Sequence, residues 1–133
     1  MLCAWLETGD PNYKKTARAS FDFLPDITFK GDQIKVVSNR SWLHKGQTVA
    51  QHGEQPIDVA YTILALHKFY QVFKVPNYAH KLAAAFNWFL GHNHLHQIIY
   101  NPCTGGCYDG LEDTHVNLTL SYLMARLTLE TQK

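Results

Sequence analysis

The sequence predicts an all-α fold of antiparallel helical hairpins, and three observations predict it. A Pro-Asn-Tyr run occurs twice, at Pro11-Asn12-Tyr13 and Pro76-Asn77-Tyr78, each time opening an alanine-bearing stretch that ends in aromatics and Phe-Leu. Between the two lies a segment, Pro56 to Lys74, that is apolar on nearly every side. Near the end, Leu120, Leu123, Met124 and Leu127 recur at helical spacing. One hairpin cannot bury its own apolar face, so a repeat of this period implies that hairpins stack.

Met1 to Thr8, with Leu2, Trp5 and Leu6, reads as the tail of a helix, which suggests that the chain begins inside a larger architecture. Pro11 suits the first turn of the next helix, where its missing N–H is not needed, and that helix carries Phe21, Phe23 and Leu24. Pro25 to Gly53 reads as a long connection. Its Lys30-Gly31-Asp32-Gln33 turn, followed by Ile34, Val36 and Val37, predicts a short β-hairpin. In the Pro56–Lys74 helix, Ile57, Ala60, Tyr61, Leu64 and Ala65 line one face and Val59, Ile63, Leu66, Phe69 and Phe73 the other. A helix apolar all round is buried on two sides. Pro76 to Leu90 is its partner. Gly91 to Leu118 holds Asn101-Pro102, Gly105-Gly106 and Asp109-Gly110 and reads as a second long loop. A last helix is expected over Thr119 to Thr131. Both long loops follow the second helix of a pair and so should emerge at one end, where irregular loops tend to carry function.

The 133 residues fit one domain, here expected to be a piece of a larger protein. The formal charge is +1 and the longest basic run is Lys14-Lys15, which gives nucleic acid nothing to bind. No apolar stretch approaches the roughly 18 residues a membrane span needs, and no secretory signal opens the chain. The odd set Cys3, Cys103 and Cys107 argues against a disulfide framework, and a cytoplasmic location is expected. The C-x3-C spacing of Cys103 and Cys107 fits neither a redox pair nor a zinc ribbon. Alternating His92, His94 and His96, near His115, would share one side of a strand, but the expected reading is exposed loop histidines rather than a metal set. No metal or cofactor is expected.

Several runs act together. These are Ser38-Asn39-Arg40-Ser41-Trp42, Glu54 to Ala60, Phe86 to Asn93, Gly105 to Leu111, Val116-Asn117-Leu118 and Thr119 to Leu123. In combination they resemble the C-terminal α-helical region that follows the catalytic domain of bacterial group 1-type glycosyltransferases. The resemblance covers most of the chain from about Ala17 onward. It implies a partial α/α toroid-like array, similar to the six-hairpin toroids of glycosidases and sugar epimerases, with the transferase domain lying upstream. The sequence departs from the pattern at one place: an Asn-Gln-Gly-Ala-Glu-Ser stretch, expected before the Thr-Leu-Ser-Tyr-Leu run, is absent, and Leu118 joins Thr119 directly.

The expected ligand is a sugar or glycan in a cleft formed by the two loops. Trp42 and Tyr108 would stack on sugar faces, and Glu54, Gln55, Asn93 and Asp109 would bind hydroxyls, Asn93 being implied by the resemblance alone. Each has a plainer reading: Glu54 and Asp58 as caps at a helix N-terminus, Trp42 as a plug, and Asp109-Gly110 as a turn. Glycoside cleavage needs two carboxylates about 5–10 Å apart, for which Glu54 and Asp109 are the weak candidates. That defines one alternative, a stand-alone toroid glycosidase or sugar isomerase. The other is a non-catalytic helical scaffold packing against an upstream domain or a second copy.

Overall fold

The computed structural model describes residues 1–49 and 53–121. Four helices, α1 (Leu2–Thr8), α2 (Pro11–Thr28), α3 (Pro56–Phe73) and α4 (Pro76–Phe89), form two hairpins. Both hairpins turn within two residues. At the first, Gly9 takes a left-handed φ of 72° and Asp10 caps α2 by accepting from the Asn12 N–H at 2.8 Å. At the second, Lys74 takes the left-handed φ of 53° and Val75 precedes Pro76. Pro-Asn-Tyr is therefore a helix start in both places. The hairpins meet through aromatics: Phe21 of α2 stacks on Phe69 of α3 at 3.9 Å, and Tyr78 of α4 sets its edge against both. The Tyr78 hydroxyl also donates to Asp22, pinning α4 to α2.

The all-α expectation is corrected by two antiparallel sheets. The short hairpin is where its turn signal placed it, with β1 (Phe29–Lys30) paired to β2 (Gln33–Ile34). The second sheet, in the order β3 (Tyr100–Asn101), β4 (Gly106–Leu111), β5 (Val116–Ser121), occupies the segment expected to be loop. Asn101-Pro102 and Gly105-Gly106 bound the corner between β3 and β4, whereas Asp109-Gly110 lies within β4. Asn101 accepts the Gly105 N–H on its carbonyl and the Cys103 N–H on its side chain, closing the β3–β4 turn. The final helix is corrected as well. Val116, Leu118 and Leu120 alternate with Asn117, Thr119 and Ser121, and a strict period of two is the signature of a strand. Thr119 to Ser121 thus belong to β5, and the rest of the expected helix lies outside the described residues. Leu118 and Thr119, the junction singled out in the sequence, together oppose Asp109, because Tyr108 faces Leu120 while Gly110 faces Asn117. That irregularity is a β-bulge.

The core runs from Ala17 and Phe21 through Val59, Ile63 and Leu66 of α3 to Ala85 and Trp88 of α4, and continues into Ile34, Val36, Ile99 and Leu111. Burial of α3 is one-sided, not two-sided as its composition suggests. Tyr61 is 59% exposed, and with Ala65, Phe21, Leu24, Pro25 and Val37 it walls an apolar groove of about 350 Å³. No helix among the described residues is long and apolar enough to cross a membrane.

Candidate functional site

The two long connections do meet, and they meet at Glu54. Its backbone pairs with Leu111 of β4, N–H to carbonyl at 3.0 Å and carbonyl to N–H at 2.9 Å. This bridge fixes the glycine beside it. A Cβ on Gly110 would sit 2.9 Å from the Glu54 carbonyl oxygen, closer than carbon and oxygen tolerate. On the other flank Gly53, at φ 71°, accepts the Asn39 N–H at 2.9 Å, and a Cβ there would collide with the side chains of Asn39 and Ser38. Glycine on both sides lets three backbones converge.

Glu54 lies on no helix and is 2% exposed, although charged residues are seldom buried unless paired. Its partners explain the burial. The Trp88 indole N–H donates to Oε2 at 2.8 Å, and the Nδ1 of His94 lies 2.9 Å from Oε1. The other ring nitrogen of His94, Nε2, donates to the Glu112 carbonyl oxygen at 2.9 Å. The Glu112 carboxylate is in turn ion-paired with Arg40 at 2.5 Å, closing the ring of contacts back to the first loop. Burial pushes the Glu54 carboxyl above the usual carboxylate range, while the Trp88 hydrogen bond, His94 and Lys35 pull it back.

Each sequence-predicted residue can now be placed. Glu54 is central, but both of its oxygens are occupied inside the protein. Gln55 is the N-cap of α3 without a side-chain cap bond, and Asp58 sits in the first turn beside the apolar groove. Asn93, 1% exposed, spends its amide on the backbone. It donates to the carbonyls of Trp88 and Gln97, both at 2.8 Å, and accepts from the N–H groups of Leu95 and Gln97. It shapes the turn after α4 and has no group left for a ligand. Tyr108 is half-buried on β4, and Asp109 beside it is exposed at the bulge. Trp42 is 88% exposed and lines a hollow of about 160 Å³ with Val37, Ser38, Leu43, Gln47 and Val49, a set that includes neither Glu54 nor Asp109. A sealed Glu54 and a solvent-facing Asp109 do not make the opposed carboxylate pair that glycoside cleavage needs.

His94 is the residue that the sequence reading missed. His92 and His96 are exposed as expected, but His94 between them is tied at both ring nitrogens. Nothing in His-Asn-His-Leu-His distinguishes the middle ring; its partner is 40 residues away. No three His, Cys, Asp or Glu side chains among the described residues come together as a metal set. Cys107 is buried, which raises its thiol to about 11, while Cys3 and Cys103 are exposed. The chain matches no family model, and comparison with curated proteins and with solved structures gives no match either.

Proposed function

We propose that this chain is a carbohydrate-related helical domain of a group 1-type glycosyltransferase, and that it binds a sugar or glycan without itself performing transfer. One observation carries the reading. The runs on which the resemblance rests, around Arg40, Glu54, Trp88 and Asn93, and Gly110, are distant in sequence yet share a single hydrogen-bonded cluster at one end of α3 and α4. A ligand would draw on Gln55, which follows Glu54, on Tyr108 and Asp109 beside Gly110, and on Trp42, two residues past Arg40, which together supply aromatic faces and polar groups of the kind sugars take. A binding role fits better than a hydrolytic one, because Glu54, the carboxylate at the centre of the cluster, has both oxygens engaged inside the protein.

The test is saturation-transfer NMR of the chain against a panel of free hexoses and oligosaccharides, repeated with Trp42→Ala and Asp109→Asn. Binding that weakens at least about tenfold in either variant, with an unchanged folded spectrum, is the expected result; a tenfold loss corresponds to about 1.4 kcal/mol. Absence of transfer from every sugar would overturn the reading in favour of the scaffold. That second reading has its own support in the open apolar groove under Tyr61, Leu24 and Val37, a surface suited to packing.

A further inference from the structure

The geometry points to a single-proton latch between Glu54 and His94 that holds the β3–β5 sheet and its turns against the helical hairpins and releases them when that proton leaves. A carbonyl oxygen only accepts, so His94 Nε2, facing the Glu112 carbonyl at 2.9 Å, carries a hydrogen. The neutral ring then has a bare lone pair on Nδ1. That lone pair sits 2.9 Å from Oε1 of a carboxylate which, when ionised, also only accepts. A hydrogen bond there needs one proton more than a neutral histidine and an ionised glutamate possess. It resides on Nδ1, giving an imidazolium–carboxylate pair, or on Oε1, giving a neutral pair; the count is one in either case. Remove it and two lone pairs face each other in a place water scarcely reaches.

The contacts that would give way are those closing the site. The same pair of side chains spans Trp88 of α4, the turn after α4 and the β4–β5 turn, beside the Glu54–Leu111 backbone bridge. Charged groups around it are Lys35 after β2 and Glu112, with its Arg40 partner, at the β4–β5 turn. Burial favours the protonated carboxyl, and the Trp88 hydrogen bond, His94 and Lys35 oppose it, with burial the larger effect. The sign follows. The hydrogen bond exists only with the bridging proton, so the closed pair holds that proton more tightly than the opened pair, in which the two groups titrate separately; the latch is closed on the acid side and its stabilisation is lost as pH rises through the pair's own titration. The latch does not depend on any sugar and is read without one.

Amide exchange of Leu111 and Glu54, the two ends of the bridge, reports the latch directly. In the native protein their protection factors are expected to fall by up to about tenfold per pH unit as the pH rises towards the pair's titration, the slope of one linked proton, and to level off above it. Glu54→Gln supplies the discriminating comparison. A glutamine can accept from Trp88 with its oxygen and donate to the bare Nδ1 with its amide, which keeps both hydrogen bonds with no proton to lose. Protection in Glu54→Gln is expected to be flat with pH. An equal tenfold-per-unit fall in Glu54→Gln, or a flat profile in the native protein, overturns the latch. Should Glu54→Gln fail to fold, nitrogen-15 spectra of His94 in the native protein decide. Nε2 must be protonated throughout, and Nδ1 must change in the same pH step that costs Leu111 its protection; a bare Nε2, or a Nδ1 change without loss of protection, refutes it.

Discussion

Replacing Trp88 by Phe should cost the protein about 2–5 kcal/mol of stability, and the loss should grow with pH. Trp88 is fully buried, and its indole N–H is the donor to Glu54 Oε2 at 2.8 Å. Phenylalanine leaves a partial cavity, worth about 1–2 kcal/mol for a shrinkage of this size in a core. It also strands a buried carboxylate oxygen, worth about 1–3 kcal/mol and more when charged. Burial already raises the Glu54 carboxyl and the Trp88 hydrogen bond lowers it, so losing the donor raises it further. A group whose folded pKa is raised stabilises the fold below its unfolded value and loses that contribution as pH climbs through the folded one. The penalty should therefore be smaller near pH 5 than near pH 8. Urea unfolding followed by far-UV circular dichroism at the two pH values measures it. With a slope of about 2 kcal/mol per molar, the midpoint at the higher pH should drop by about 1–2.5 M. In a Glu54→Gln background the stranded atom is neutral, and the penalty should shrink. A loss below about 1 kcal/mol, or one that does not change with pH, would refute the picture of Trp88 as the partner of a buried ionisable oxygen.

Gly110→Ala forces a Cβ within 2.9 Å of the Glu54 carbonyl and should destabilise by about 1–3 kcal/mol, with accelerated amide exchange at Leu111. Asn93→Ala removes an amide whose bonds all go to backbone groups; a loss of about 2–4 kcal/mol in urea, with faster exchange at Leu95 and Gln97, is expected. Phe21→Ala takes away the ring stacked on Phe69 and should cost about 3–5 kcal/mol in thermal or urea unfolding. Burial and the bond to Asp22 raise the Tyr78 phenol to about 12, so ultraviolet titration should show one tyrosine ionising late, and the stability it lends should be present below its ordinary value of 10.0 and fade between there and 12.

The helical half of the fold was legible because its signals are local. Pro11 and Pro76 mark helix starts, and the Lys30–Gln33 turn marks the small hairpin within a residue or two. The second sheet was hidden by turn-forming residue pairs in and between its strands. Asn101-Pro102, Gly105-Gly106 and Asp109-Gly110 read as one irregular loop when the strands between them are six residues or fewer, and Gly110 is a glycine for its contact with Glu54 rather than for a turn. The alternation from Val116 to Ser121 was present but was outweighed by leucines that also fit a helical stripe. At the site, Glu54 was legible as a carboxylate at the start of a helix, a cap or a ligand-binding group, though not as a buried one. His94 was not, because only the folding of the β4–β5 turn onto α4 gives it two partners.

The span of the bonds at Glu54 also sets an order of assembly. Those to Trp88 and His94 close segments of 34 and 40 residues, whereas α3 and α4 turn on two. Closing a long segment costs entropy before any contact repays it, so the hairpin of α3 and α4 can form first and the meander can settle only on a surface already made. Substitutions at Gly110 or His94 should consequently speed unfolding far more than they slow refolding, while Phe69→Ala, inside the early hairpin, should do the reverse.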